Sequence, residues 1–317
     1  MAISVDQALD KLLPLIQQRK LIVLAGSGIS VDSGLPSWDD LLKDFITFCE
    51  ELQPYIEPGF RFPTLIEDAK RERVRKQYPI PVATALKQAL KKVKDHGTTD
   101  VGQAFDDWFR DEMEGEPNDY HRAIVATDYP FMLTTNYDRL LEAAADELGY
   151  RNLVYSSYSF TEFGKLAKAL FKRRPSIIHI HGDVRRVSFE EIVFTAEDYQ
   201  KVERDHYEFR LALHSLFLDH STLLIGYGAS DPHLEGIFEE LSHYLGWTHD
   251  PELPWCYLVT HNEKGGAVHD KYKEGMRTQV IGVDDFDESL KLLETIQSAF
   301  PREVDTDAST EPILYNA

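Results

Sequence analysis

The stretch Leu21-Ile-Val-Leu-Ala-Gly-Ser-Gly-Ile-Ser-Val-Asp-Ser-Gly-Leu-Pro-Ser-Trp38 decides how the rest of the chain is read. Leu21 to Ala25 is a short apolar run, the pattern of a strand buried on both faces. Gly26 and Gly28 follow at once and let the backbone turn tightly and a ligand approach main-chain N–H groups. Ser30, Asp32 and Ser33 are helix-capping types, so a helical turn is expected to start beside them. A strand, a glycine turn and a helix start make an anion site suited to a nucleotide phosphate. Neither familiar fingerprint fits. Val31 stands where a dinucleotide fold wants its third glycine, and no lysine lies between Lys20 and Lys43 for a P-loop. A tight turn with no ligand is the plain alternative.

Working outward, Val5 to Arg19 carries apolar residues at near-helical spacing, with Pro14 as a kink point. Trp38 to Leu52 is helical in pattern, and Thr64 to Glu114 is helical and highly charged. Together they predict a helical insertion over roughly 40–125. Strands are expected at Phe131–Thr135, Leu153–Tyr155, Ser176–His181, Val193–Phe194, Thr222–Ile225, Trp255–Thr260 and Thr278–Gly282. Helices are expected at Arg139–Leu148, Glu162–Lys172, Ala196–Leu218 (one long helix), Leu234–Tyr244 and Asp284–Phe300. Alternating strands and helices make this α/β, a Rossmann-like, doubly wound, mostly parallel sheet with a helical insertion. One domain over 1–300 is expected, with a polar, acidic and disordered tail over 301–317.

The chain has 317 residues, 43% hydrophobic, and a formal charge of −20. A surface this acidic repels nucleic acid and anionic membrane. The basic clusters Lys70–Lys76 and Lys87–Lys94 read as solvated helix faces. Two cysteines, Cys49 and Cys256, exclude a four-cysteine zinc site and fit a reducing compartment. No apolar run approaches the roughly 20 residues of a membrane span, and the N-terminus does not read as a secretory signal. A soluble, cytoplasmic protein is the expectation.

Four strands end in small or polar clusters: Gly26–Ser30, Thr134–Asp138, His181–Asp183 and Gly226–Asp231. In a doubly wound sheet the carboxyl ends of the strands bind the ligand, so four separate stretches converge on one edge. Asn136 and Asp138 either cap the helix that follows or orient a water or a ribose hydroxyl. His179 and His181 are two apart on an expected strand and so face one side. His181 precedes a glycine at the strand end and suits general-base work.

Ala25-Gly26-Ser27-Gly28-Ile29-Ser30 followed by Ser33-Gly34-Leu35-Pro36 resembles the NAD-binding turn of the sirtuin family. Thr134-Thr135-Asn136-Tyr137-Asp138, His181-Gly182 and Gly226-Tyr227-Gly228-Ala229-Ser230-Asp231-Pro232 resemble three further motifs, in the same order, of the zinc-free sirtuin-like NAD-hydrolase domains of bacterial anti-phage defence systems. The resemblance implies NAD as substrate, with no metal required. It implies Asn136, His181 and Asp138 as catalytic residues. It implies NAD contacts from Ala25, Gly26, Ser27, Gly28, Ser30, Pro36, Trp38, Thr135, Gly226, Ser230 and Asp231. A switch is also implied, by homo-oligomerisation or by a partner such as a HerA-like hexameric ATPase. Departures from the protein-deacylating sirtuins are the missing zinc module, Pro36-Ser37-Trp38-Asp39 in place of their phenylalanine and arginine, and the missing peptide-binding segment. They weigh against lysine deacylation. A module that binds NAD or ADP-ribose without turnover stays open. So does, more weakly, a metal-dependent nuclease using Asp183, Asp231, His179 and His233.

Overall fold

In the computed structural model, residues 2–55, 64, 67, 70–71, 79–93, 100–186, 188, 191–228, 231–245, 255–262 and 278–304 are described. Strand β1 (Leu21–Ala25) is buried along its whole length, as five consecutive apolar residues require. It is the middle strand of a seven-stranded, all-parallel sheet in the order β3-β4-β2-β1-β5-β6-β7. The others are β2 (Phe131–Thr134), β3 (Ser157–Ser159), β4 (Ser176–His179), β5 (Ser221–Ile225), β6 (Cys256–His261) and β7 (Thr278–Val283). Because β1 pairs with β2 on one side and β5 on the other, the turns after these three strands meet at one edge.

Helices cover both faces. On one face α1 (Val5–Gln17, with Pro14 inside it), α5 (Asp119–Ala126), α6 (Leu140–Glu147), α7 (Arg151–Tyr155) and α12 (Phe286–Ala299) bury Leu12, Ile124, Leu141 and Ile296 against Val23 and Ile177. The opposite face carries α2 (Trp38–Glu51), α3 (Pro79–Val93), α4 (Val101–Glu112), α8 (Phe163–Phe171), α9 (Ala196–Asp205), α10 (Tyr207–Asp219) and α11 (Pro232–Leu245). The described part of the insertion is helical. It docks through an aromatic cluster in which Phe45 meets Phe105, Trp108 and Phe194 at ring separations of 5.4, 5.2 and 5.5 Å.

Several expectations are corrected. Leu153–Tyr155 is helical, within α7, with Leu153 buried and Tyr155 exposed. The edge strand begins after it, at Ser157-Tyr158-Ser159, where the Ser157 hydroxyl donates to buried Glu142. Val193–Phe194 is not a strand. Val193 N–H goes to the His181 carbonyl, and Phe194 N–H goes to the Asp198 carboxylate at 3.1 Å. The long helix expected over 196–218 breaks at His206, which leaves helical geometry and sets its ring 5.0 Å from Phe160. Strand β4 stops at His179, so His181 lies beyond the strand and the two histidines do not share a face. Lys87 is fully buried, not solvated. Its Nζ lies 2.9 Å from both Asp198 carboxylate oxygens and 3.0 Å from the Ile192 carbonyl. Ordered chain also runs past 301. Pro301 bridges Thr127, and the buried Arg302 guanidinium donates to the carbonyls of Val125, Thr127 and Tyr129. Residues 305–317 lie outside the described residues.

Candidate functional site

The turn after β1 contains two short helical turns, Ser27–Ile29 and Val31–Ser33, before α2 starts at a Ser37 cap. Gly34, at φ +83°, closes the second turn in a conformation that favours glycine. The first turn is locked to the turn after β5. Gly28 N–H donates to the Gly226 carbonyl at 2.9 Å, and Gly226 itself sits at φ +60°. A Cβ on Gly26 would lie 2.5 Å from the Gly226 carbonyl oxygen, and one on Gly28 would lie 2.9 Å from the Gly226 Cα. These glycines are needed for backbone to pass against backbone.

This packing shapes the expected anion cradle. The N–H groups of Gly26, Gly28, Ile29 and Ser30 all donate within the protein, to Ile225, Gly226, Gly26 and Ser27 carbonyls. The cradle is thus mostly spent internally, and no α-helix N-terminus stands at the turn.

A cleft enclosing about 960 Å³, including its open mouth, runs along this edge of the sheet. Gly26, Ser27, Ser30, Pro36, Trp38, Thr135, Asn136, Asp138, His181 and Asp231 all line it, so stretches far apart in sequence do meet. Ala25, Gly28 and Gly226 do not line it. Ala25 is buried, its carbonyl taking the Thr135 N–H and the Thr134 hydroxyl, while the two glycines form the seam beneath. Ser230 lies outside the described residues.

Asn136 is held from three directions. Its N–H donates to Thr134 Oγ1 at 3.0 Å, and its Nδ2 donates to the Gly26 carbonyl at 3.3 Å and to Ser30 Oγ at 3.1 Å. With Nδ2 facing two acceptors, the amide orientation is settled. Its Oδ1 is buried and has no hydrogen-bond partner among the described residues. A buried acceptor left open costs stability, so it is poised for a donor from a ligand or a water. Asp138 accepts from the Ser30 hydroxyl at 2.9 Å and from Leu140 N–H at 3.1 Å. It therefore stands at the start of α6 as well as in the cleft, and burial pushes its carboxyl above the usual range.

His181 Nε2 lies 2.9 Å from Asp231 Oδ2, a close polar contact off the line of a hydrogen bond. Asp231 also accepts His233 and Leu234 N–H groups at 3.0 Å each, as the cap of α11. Burial pushes its carboxyl up, but the contact with His181 and the Leu234 N–H outweigh that and hold it low. Tyr199 Oη reaches the same carboxylate at 3.4 Å.

Sequence reasoning missed Tyr137, Tyr199, Tyr227 and the apolar wall of Leu35, Leu41, Ile80 and Met113. Apolar residues on the insertion read as core, and nothing local says that they stop at a cleft. It also missed His121, whose Nε2 lies 3.2 Å from Ser30 Oγ. The four residues of the nuclease alternative do not assemble. His179 faces Glu142, Asp183 faces Arg139 and Arg186, and Asp231 faces His181. Among the described residues, no group of three or more His, Cys, Asp or Glu side chains is arranged to hold a metal ion. No described helix is long and apolar enough to cross a membrane.

Comparison with known proteins bears on this site. A family model described as a SIR2-like domain matches residues 130–313. The chain is 27% identical over 231 residues to an Enterococcus faecium protein named NAD(+) hydrolase ThsA, covering 73% of this chain and 41% of that protein. A Cytobacillus dafuensis protein of the same name is 25% identical over 258 residues, covering 81% and 45%. Defense-associated sirtuin 2 of Bacillus subtilis is 24% identical over 215 residues, covering 67% and 18%. The chain thus spans under half the length of these relatives. A solved SIR2 homolog–NAD complex is 15% identical, with a TM-score of 0.44 over 92% of this chain and 94% of that one. The family match takes in more than half of the sequence and includes Asn136, Asp138, His181 and Asp231, and the chain belongs to the SIR2-like domain family.

Proposed function

We propose that the chain is an NAD hydrolase that cleaves the nicotinamide–ribose bond to give nicotinamide and ADP-ribose. The observation that carries this is the open Oδ1 of Asn136, a buried acceptor whose amide is pinned by Gly26 and Ser30 at the edge of the cleft. Cleavage passes through a transition state with oxocarbenium character, as in glycoside hydrolysis. The C–N bond breaks with its electron pair leaving on nicotinamide, and a water oxygen adds to the ribose carbon. Asn136 Oδ1 accepts from that water or from a ribose hydroxyl and fixes its direction. Asp231 holds Nε2 of His181, which leaves Nδ1 to take the proton that the water or hydroxyl gives up. Asp138 acts through Ser30, holding its hydroxyl for the Asn136 amide. Ser27, which lines the cleft beside Gly26, takes the pyrophosphate, with the seam of Gly28 and Gly226 beneath it. Trp38, Pro36 and the apolar wall exclude water from the nicotinamide side. The names of the relatives, NAD(+) hydrolase and defense-associated sirtuin, support this reading and a role in anti-phage defence. Unregulated NAD loss would harm the host cell, so the activity is gated, by self-association or by a partner such as a HerA-like ATPase.

The test is nicotinamide release from NAD by the purified chain, followed by chromatography, beside Asn136→Ala and His181→Ala. Each substitution is expected to lower turnover by on the order of 10²-fold or more. NAD binding that persists with no release, alone and with the candidate partner added, would replace the hydrolase with a binding module.

A further inference from the structure

His121 lies in the first turn of α5, far from β1 in sequence, yet it is fully buried against the turn that follows β1. Its Nε2 is 3.2 Å from Ser30 Oγ. The single hydroxyl proton of Ser30 goes to Asp138 Oδ2 at 2.9 Å. The Ser30 oxygen is then left as an acceptor, and it already takes Asn136 Nδ2 at 3.1 Å. The contact with His121 is a hydrogen bond only if Nε2 carries the proton. The other ring nitrogen sits between two groups of Asn118: Nδ1 accepts the Asn118 N–H at 3.2 Å, and it lies 2.9 Å from Asn118 Oδ1, an oxygen that already takes the Tyr120 and His121 N–H groups. Asn118 in turn donates from Nδ2 to the Ile29 carbonyl at 2.7 Å, so the start of α5 grips the same turn twice.

We propose that His121 is a positioning residue, whose neutral Nε2–H fixes the direction of the Ser30 hydroxyl and through it the orientation of the Asn136 amide. Its effect on turnover rests on the hydrolase reading; its tautomer does not. Burial, with Arg122 adding to it, lowers the ring's basicity to a pKa of about 4, in keeping with a neutral imidazole at neutral pH. A charged ring would put a second N–H toward the Asn118 N–H that Nδ1 now accepts.

Two substitutions separate positioning from packing. Gln reaches the place of Nε2 and carries an N–H donor there. Asn reaches only the place of Nδ1 and takes away the donor that His121 offers Ser30, leaving Asn136 Nδ2 alone on the oxygen. His121→Asn is expected to lower kcat by on the order of 10-fold to 10²-fold with KM nearly unchanged, while His121→Gln restores most of it. Equal losses in the two variants, or losses that follow their melting temperatures, would overturn the proposal. Independently, long-range ¹H–¹⁵N spectra of the histidine-labelled protein, with the His121 signal assigned by its loss in His121→Asn, report the tautomer. The Nε2–H form is expected. An Nδ1–H or doubly protonated ring at neutral pH would also overturn it. If wild-type protein binds NAD but releases no nicotinamide, alone and with the candidate partner added, the hydrolase reading fails while the tautomer still decides this one.

Discussion

His179 is wedged between Glu142 and the peptide of Asn136: its Nε2 lies 2.8 Å from Glu142 Oε1, and its Nδ1 lies 3.1 Å from the Asn136 carbonyl oxygen. Both ring nitrogens face acceptors, so both carry protons and the ring is an imidazolium. Burial opposes that charge, but Glu142 outweighs it and raises the pKa of His179. Glu142, pushed up by burial and pulled down more by His179, Arg139 and Ser157, is held at about 2. A cation thus sits directly behind the residue proposed to orient the reaction.

The pair sets a pH window for stability. The contribution of His179 is fully present below its unfolded pKa of about 6.5 and is lost as pH rises through its raised folded value. The contribution of Glu142 is present above its unfolded pKa of about 4.3 and is lost as pH falls toward its folded value. Glu142→Gln, which strands the buried charge, is expected to cost about 3–5 kcal/mol near pH 6 and less at alkaline pH. Thermal melts of both proteins from pH 4 to pH 9 check this; parallel curves throughout would remove the ion pair from the account.

Gly26→Ala tests the seam between β1 and β5. The new methyl would meet the Gly226 carbonyl oxygen at 2.5 Å and Tyr227 Cα at 2.7 Å, both of them backbone atoms that cannot swing aside. A loss of about 1–3 kcal/mol is expected. NAD binding, measured by calorimetry on the folded fraction, should weaken with it. Gly164→Ala, where a Cβ meets nothing within 4 Å, is the matched control and should bind normally.

Lys87 and Asp198 tie the insertion to the start of α9, one residue before Tyr199. Lys87→Met leaves a buried carboxylate without its charge partner and is expected to cost about 3–5 kcal/mol. Adding Asp198→Asn should return part of that, because the amide oxygen can still accept the Phe194 and Thr195 N–H groups. Denaturant unfolding of the single and double variants gives the coupling energy; strict additivity would argue against a working ion pair.

Truncation tests Arg302, with a chain ending at residue 304 as the reference. Ending it at residue 300 removes Arg302, whose main chain and guanidinium satisfy the carbonyls of Val125, Ala126, Thr127 and Tyr129. Several buried hydrogen bonds are lost together, at roughly 1 kcal/mol each, so a fall of several degrees is expected.

What could be read from the sequence was what is local and apolar. Leu21–Ala25 announces a central strand because a strand covered on both faces buries every residue of a short apolar run, and the glycines that follow end it too soon for a helix. The small and polar strand ends mark the cleft because an all-parallel sheet brings its carboxyl ends to one edge. Ser157-Tyr158-Ser159 carries no such mark, since its place is won by pairing with β4 rather than by its own side chains. The break at His206 is equally silent. Val202, Phe209, Leu213 and Leu216 keep helical phase straight through it. Lys87 sits among other lysines, and only Asp198, distant in sequence, makes it a core residue. His121 reads as an ordinary first-turn residue until Ser30 arrives beside it. Partners far along the chain are what pattern cannot supply.

The seam between Gly28 and Gly226 also has a meaning in time. A ribosome adding about 5–20 residues per second needs roughly 10–40 seconds to make the two hundred or so residues between them. Until then β1 has β2 but lacks β5, and the floor of the cleft does not exist. On the hydrolase reading, a nascent chain that has not yet made β5, or a fragment from a message cut short before it, has no floor on which to hold NAD. The order in which the strands are made delays the site until β5 joins β1.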